Sequence, residues 1–156
     1  MSLTTDRTDP RLGHGADETP RPQNDVYLVL SDEERAKGFV RPVRHSYRHV
    51  GIAGPQHPLR DLTEEERARY GGAGYVKYET YPDGGSLAGR YWTQAQLDSV
   101  GKGCGTVTTM GAALAETYAR EPRFYGATYC CGCRMHRPVG DGGEFIWEGT
   151  RERVGT

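Results

Sequence analysis

Large apolar side chains are scarce in this chain of 156 residues. Nine Leu, two Ile, ten Val and three Phe make 24 strong core formers. This is about 15% of the sequence, below the roughly 20% under which chains tend towards disorder. Disorder also expects a large net charge, whereas here 20 basic residues nearly balance 21 acidic ones. Glycine and proline are abundant, at 22 and 9 residues, and favour turns over long elements. The composition predicts a small, loop-rich domain with a thin apolar core.

Further absences exclude whole classes of protein. No run approaches the roughly 18–20 apolar residues of a membrane span. A formal net charge of −1 argues against general coating of nucleic acid, which needs a large positive surplus. The first residues contain no apolar segment of the signal-peptide kind, so we expect a cytoplasmic protein. In that reducing compartment, the four cysteines favour metal ligation over a disulfide framework.

The sequence predicts an arm followed by one domain. Residues 1–25 carry almost no large apolar side chains and are expected to form an extended arm, either solvated or docked on a partner or on its own domain. Residues 26–156 are expected to form a single domain of the α+β class, with short helices and one β-hairpin. Within it, residues 51–101 begin with a segment rich in proline and glycine and end at Gly-Lys-Gly, which indicates an insertion.

Local patterns place the elements of this domain. Capping motifs predict three short helices that begin near Ser31, Thr63 and Thr93 and end at glycines. The aromatic segment 75–81, followed by Pro-Asp-Gly-Gly, predicts a β-hairpin. The longest helix is expected over residues 109–120, where apolar residues recur at helical spacing.

The clearest chemical motif lies towards the end of the chain. Cys130 and Cys133 form a C-x-x-C pair, whose tight turn lets two thiolates reach one ion, and Gly132 relieves the crowding within that turn. Cys104 lies between two glycines and is the candidate third ligand, and His136 is the candidate fourth. Three sulfurs and one imidazole would make a closed tetrahedral site, which is typical of a structural zinc ion. We therefore predict Zn²⁺ as the cofactor of a zinc-stabilised domain, although the spacing also permits iron.

Alternatives to this ligand set remain open in the sequence. His49 is the other candidate for the fourth position, because it lies just before the insertion and would come near Cys104 without it. Cys131 is a spare thiol or a substitute ligand. A redox pair is disfavoured, because Pro138 and Gly140 exclude the long helix that follows a thioredoxin-like motif. Buried cysteines without a metal are the remaining alternative.

A basic segment supports a different function. The segment contains three arginines at steps of three and four residues around Tyr47, namely Arg41, Arg44 and Arg48. In this pattern the arginines could bind phosphates and the tyrosine ring could stack on a base. The same residues could form an exposed turn that pairs with acidic helices. A nucleic-acid-binding zinc-knuckle module is thus the first alternative function. A small metal-dependent hydrolase is the second, but no general base, nucleophile or acidic metal cluster accompanies the motif, so we predict no catalytic residues.

Several segments resemble known sequences. The chain resembles a group of small uncharacterised proteins encoded in tailed-bacteriophage and prophage genomes. The segments that carry the resemblance are residues 27–44, 103–111, 115–120 and 130–136, and it extends from the last of these towards residues 144–147. The resemblance covers most of the chain from about residue 9. It implies a phage origin and a metal knuckle, and it brings no activity.

These observations together predict a non-enzymatic, zinc-stabilised binding or structural protein. Its partner would be another protein, such as a phage capsid or tail component or a host factor, rather than nucleic acid or a membrane. We expect it in the cytoplasm of the host cell or in the virion. There it would act as a decoration-like protein or as an inhibitor directed against the host or its defences.

Overall fold

The computed structural model describes residues 2–13, 16, 19–55, 59–70, 75–78 and 91–156. Helices and short strands alternate along the chain, so the prediction of a small mixed fold is confirmed. The elements in chain order are β1 (Ser2–Thr4), β2 (Val26–Leu28), α1 (Asp32–Arg35), β3 (Ser46–His49), β4 (Leu59–Asp61), α2 (Glu64–Tyr70), β5 (Tyr75–Tyr78), β6 (Tyr91–Thr93), α3 (Gln94–Ser99), β7 (Val107–Thr109), α4 (Ala112–Arg120), β8 (Ala127–Cys130), β9 (Met135–Pro138) and β10 (Phe145–Trp147).

The chain forms two compact units. The first comprises Met1–Ile52 and Gly103–Thr156, and the second comprises Ala53–Lys102. The second unit therefore interrupts the sequence of the first. Among the described residues, no helix is both long enough and apolar enough to cross a membrane.

A three-stranded antiparallel sheet in the order β10-β3-β7 lies in the first unit. Exposure alternates along β3, as the two-residue period of a strand requires. Tyr47 and His49 are buried, whereas Ser46 and Arg48 are partly exposed. Tyr47 lies opposite Trp147 of β10. The buried face of β3 therefore holds a core residue, Tyr47, and ends at His49.

Helix α4 begins later than the residue spacing predicts. Residues Val107–Thr109 form β7 and pair with β3, so the backbone of these residues belongs to the sheet and is not available to the helix. Gly111 is the N-cap, with extended dihedrals of φ −69° and ψ 165°. The face of α4 that packs inwards includes Thr117 and Tyr118. Its buried helical residues are Ala115, Thr117, Tyr118 and Ala119.

Aromatic rings supply much of the core of the first unit. The ring of Tyr47 meets that of Phe145 edge-on, with 5.2 Å between centroids, and meets Trp147 at 6.3 Å. Tyr118 meets Trp147 in the same way at 5.6 Å. Edge-to-face contacts of this kind stabilise beyond the area they bury. Val154 is fully buried in the same cluster. A few large aromatic rings therefore supply much of the buried apolar volume that aliphatic side chains supply in other cores.

The described part of the N-terminal arm packs on the first unit. Strand β1 pairs in parallel with β2, with Leu3 opposite Tyr27, and a further bridge joins Leu12 to Val26. These contacts run through the backbone, so they need few apolar side chains. The arm predicted to be extended is therefore docked on its own domain.

The second unit has its own antiparallel sheet, in the order β4-β5-β6. Helix α3 begins with the capping box that the sequence predicts. The Thr93 hydroxyl accepts from the Gln96 amide at 3.1 Å, and the Gln96 side chain accepts from the Thr93 amide at 3.0 Å. The predicted hairpin turn, residues 82–85, lies outside the described residues.

Truncation of Val154 tests the position of the core. Val154→Ala should lower the free energy of unfolding by about 1–3 kcal/mol, because it leaves a cavity around a fully buried side chain. Val43→Ala removes the same atoms from a side chain that is 36% exposed and should cost less than about 0.5 kcal/mol. Urea unfolding measures both variants, and equal losses would contradict the place of Val154 in the core.

Candidate metal centre

Three separate parts of the first unit meet at the end of β3. His49 is the last residue of β3, Cys104 precedes β7, Cys130 ends β8, and Cys133 lies in the turn before β9. Each residue offers one ligand atom, and these four atoms all lie within 4.8 Å of one another. The fold therefore brings together three predicted ligands and one of the two candidate histidines.

The donor atoms have the spacing of a tetrahedral metal site. His49 Nδ1 lies 3.3 Å from Cys104 Sγ and 3.4 Å from Cys133 Sγ. Cys104 Sγ lies 3.4 Å from Cys130 Sγ. Bonds of about 2.0–2.3 Å from a central zinc ion place neighbouring ligands roughly 3.5 Å apart. A disulfide needs sulfurs at about 2.05 Å, so the cluster is not a disulfide site. The four donors could hold one metal ion.

The turn after β8 directs two sulfur atoms at the same point. The Cys133 amide donates to Cys130 Sγ at 3.5 Å. A Cβ atom at Gly132 would lie 2.4 Å from Thr106 Oγ1 and 2.9 Å from Cys104 Sγ. Because a side chain there would collide with these atoms, glycine allows the turn to approach the loop that carries Cys104.

Backbone contacts hold that loop against His49. The Gly105 amide donates to the His49 carbonyl at 2.8 Å, and the Cys104 amide nitrogen lies 3.2 Å from His49 Nδ1. A Cβ atom at Gly103 would lie only 2.2 Å from the His49 carbonyl oxygen, so this approach also depends on glycine. Nδ1 is the ring nitrogen that faces the sulfurs.

Two residues that the sequence analysis missed orient the imidazole. His49 Nε2 lies 2.9 Å from Glu144 Oε1, and both side chains are buried. The Arg137 guanidinium holds the other carboxylate oxygen, Glu144 Oε2. Its Nε donates to this oxygen at 3.0 Å, and its NH2 nitrogen lies 2.9 Å from the same oxygen. A carboxylate behind a ligating histidine fixes the ring and raises its basicity. Glu144 precedes Phe145, the residue paired with His49, so only the strand pairing reveals its role.

Contacts within the cluster shift the pKa values of its members. The hydrogen bond with Cys130 raises the pKa of His49 to about 9; burial opposes this shift and the Glu144 carboxylate supports it. Burial raises the pKa of the Cys133 thiol to about 12. For Cys104, burial is outweighed by hydrogen bonds, chiefly from the side chain and backbone of Thr106, and the pKa falls to about 6. At neutral pH, His49 and Cys133 therefore hold protons that a metal ion must displace.

The structure places His136 away from the three cysteines, which corrects the predicted fourth ligand. His136 lies in β9 opposite Tyr129, with Nε2 3.0 Å from the Tyr27 hydroxyl and 3.4 Å from Asn24 Nδ2. Paired residues share a face of a sheet and successive residues alternate, so the partner of Tyr129 lies on the face opposite to Cys130. His49, the alternative candidate, takes the position beside the sulfurs.

Cys131 stays outside the group of four. Its Sγ accepts from the Thr108 hydroxyl at 3.3 Å, and its amide donates to the same oxygen at 3.0 Å. The thiol is exposed. Cys131 thus faces the hydroxyl of Thr108 in β7, whereas Cys130 and Cys133 face the other donors of the group of four.

The predicted nucleic-acid surface is not formed by the basic segment. Tyr47 is only 2% exposed, so its ring packs in the core and cannot stack a base. Arg44 pairs with Glu152, and Arg48 forms two contacts with Glu148 at 2.8 and 2.9 Å. The remaining candidate, Arg41, bonds backbone carbonyl groups, including that of Thr156 at 3.2 Å.

Comparisons with protein-family models, with curated protein sequences and with solved structures find no match. The site is therefore interpreted from its own geometry. Thiolate and imidazole donors suit zinc and other soft or borderline metal ions. His49, Cys104, Cys130 and Cys133 define a candidate metal centre for one such ion.

Substitution of the two histidines tests the ligand set. His49→Ala should weaken zinc binding by more than about 100-fold, whereas His136→Ala should leave it unchanged. Glu144→Gln keeps the shape of the side chain but removes its charge, and should cost about 10–100-fold. Competition with a chromophoric chelator measures the three affinities. An equal loss in the two histidine variants would contradict the assignment.

Metal binding should also depend on pH. Because His49 and Cys133 must each release a proton, zinc affinity should rise between pH 6 and 8 by at least about tenfold per pH unit. The same competition assay at each pH gives the slope, and proton release can be followed in weakly buffered solution with an indicator dye. An affinity that is constant with pH would show that the donors are already deprotonated.

Proposed function

We propose that the four donors hold a structural Zn²⁺ ion and that the protein is a non-enzymatic binding protein. The observation that carries this proposal is the convergence of His49 Nδ1 and three cysteine sulfurs, with Glu144 behind the imidazole. Sites with three Cys and one His are typical of structural zinc, because protein atoms fill every coordination position.

A closed donor set argues against hydrolytic chemistry. A catalytic zinc site keeps one position for water or substrate and needs a nearby acid or base. Here four protein donors supply the whole tetrahedron, and Glu144, the carboxylate of the site, is engaged by His49 and Arg137. Within the described residues, no second group of three or more His, Cys, Asp or Glu side chains is arranged to hold a metal. The described part of the chain therefore offers the hydrolase alternative no second metal-binding group.

The ion would act as a cross-link in the first unit. It would join the end of β3, the loop before β7 and the turn between β8 and β9, which are distant in sequence. A structural zinc ion contributes on the order of 10 kcal/mol, comparable with the roughly 5–15 kcal/mol by which ordinary domains are stable. A unit with few aliphatic core residues would depend on this contribution.

Function would then come from surfaces that the cross-linked unit presents to another protein. The ion pairs of Arg44 and Arg48 and the burial of Tyr47 engage three of the four residues on which the nucleic-acid alternative depended. A phage origin, and with it a place in the virion or against a host protein, remains part of the proposal through the sequence resemblance alone.

Metal removal tests the proposal directly. The purified protein should contain about one zinc per chain, and a strong chelator should lower its melting temperature by more than about 10 °C. Cys133→Ser should lose the metal and melt early without a chelator. Cys131→Ser is the matched control, because it changes a neighbouring exposed thiol outside the cluster, and it should keep both metal and stability.

The outcomes separate the alternatives. Wild type without metal, and with a melt unaffected by chelation, would overturn the structural-zinc proposal. Equal metal loss in the two cysteine variants would place the ion elsewhere. Elemental analysis by mass spectrometry and circular dichroism melts suffice for all four samples.

A further inference from the structure

A basic groove lies in the first unit, away from the candidate metal ligands. It has a volume of about 650 Å³ and is found at the C-terminal end of α4, beside residues 40 and 41 and Arg7 of the arm. Four arginines line it, namely Arg7, Arg41, Arg120 and Arg123. None of them ligates the candidate metal ion.

The walls of the groove are fixed by the fold. The amides of Val40 and Arg41 both donate to the carbonyl of Ala119, at 2.9 and 3.1 Å, which holds this segment against the last turn of α4. Arg120 donates to the Gly38 carbonyl at 3.2 Å from the other side. The groove is therefore built into the unit and does not need to be assembled by a ligand.

The positive charge of the groove is only partly compensated. Arg44, Arg48 and Arg137 each pair with a glutamate in the first unit. By contrast, Arg7, Arg41 and Arg123 are exposed and form no ion pair with any side chain in the described part of the protein. Arg120 approaches Glu34 at 3.6 Å, and Glu121 is the acidic residue of the groove itself. Arg7 and Arg123 are thus without an acidic partner in the described part of the protein, whereas Arg41 donates to the backbone oxygen of Thr156 at 3.2 Å.

Apolar surface accompanies this charge. Val40 is 58% exposed, and Pro122 and Phe124 also line the groove. The Arg7 guanidinium lies 5.5 Å from the centroid of the Phe124 ring, so the ring is covered by a cation on one side. Guanidinium groups bind carboxylates through paired hydrogen bonds, and an adjacent apolar surface accepts a hydrophobic side chain. Guanidinium groups beside an apolar surface therefore fit a polypeptide that carries both carboxylates and a hydrophobic side chain.

We propose that this groove binds an acidic segment of a partner protein, with its carboxylates on Arg7, Arg41 and Arg123 and an apolar side chain on Val40. The proposal rests on the proposed function as a protein-binding module and names the surface and the chemistry of the partner. A nucleic acid is a poorer fit, because the net charge of the chain is −1 and the groove has one aromatic ring, already covered by Arg7.

Fluorescence anisotropy with the full chain tests the groove. The probes are a labelled dodecapeptide of repeated Glu-Asp-Phe, its Gln-Asn-Phe counterpart, and an oligothymidylate of equal length. The acidic peptide should bind, more weakly as salt rises from about 50 to 300 mM, and the amide peptide should not. The variant R7Q/R41Q/R123Q should lose about tenfold or more in affinity for the acidic peptide. The variant R11Q/K102Q/R151Q removes the same charge from exposed sites outside the groove and should bind normally.

Three results would overturn the proposal. In the first, the acidic peptide does not bind to wild type. In the second, the two triple variants lose equal affinity for the acidic peptide. In the third, the oligothymidylate binds more tightly than the acidic peptide, and the groove variant abolishes that binding. Zinc content is measured on the same samples. A protein that contains one zinc per chain but does not bind the peptide would contradict the groove proposal and leave the structural-zinc proposal intact. A protein that binds the peptide but contains no zinc would contradict the structural-zinc proposal and leave the groove proposal intact.

Discussion

Three sulfur atoms and one imidazole nitrogen lie within 4.8 Å of one another at the end of β3, and any charge on these donors has to be balanced for the surrounding loops to hold their positions. Protons or a cation can provide this balance, and a metal ion does so while also binding all four donors. Strand β3 links this requirement to the core, because it directs His49 into the cluster and Tyr47 into the aromatic core. Glu144, adjacent to the strand-paired Phe145, orients the imidazole. The candidate metal centre and the core are thus parts of one arrangement.

This arrangement explains how a chain with few aliphatic side chains can fold. Edge-to-face contacts among Tyr47, Tyr118, Phe145 and Trp147 fill the core of the first unit. The Arg44 guanidinium lies 5.0 Å from the centroid of the Trp147 ring and pairs with Glu152, so even a charged residue extends the apolar cover. Large rings, stacked cations and a proposed metal cross-link take the place of aliphatic bulk.

The distribution of charge follows from the same packing. Glutamates beside β10 and in the turn that follows it, together with Glu144 of the candidate metal centre, pair with the arginines nearest to them. At the C-terminal end of α4, Arg120 lies 3.6 Å from Glu34, whereas Arg123 forms no ion pair within the described residues. The backbone there is fixed by bonds to Ala119. A near-zero net charge therefore conceals a local basic surface beside the C-terminal end of α4, which is the surface proposed to bind a partner.

Local spacing determined the C-x-x-C turn, the likeness of Cys104 to a ligand and the capping box of α3, because each depends on residues that are close in sequence. The contacts that require glycine at position 132 are with Thr106 and Cys104, so they were decided by the tertiary structure. The exchange of His136 for His49, the support from Glu144 and Arg137, and the burial of Tyr47 were decided by the tertiary structure. So was the late start of α4, whose first predicted residues pair with β3 instead. These features depend on which strands pair and in which register, and a shift of one residue in register sends a side chain to the opposite face of a sheet.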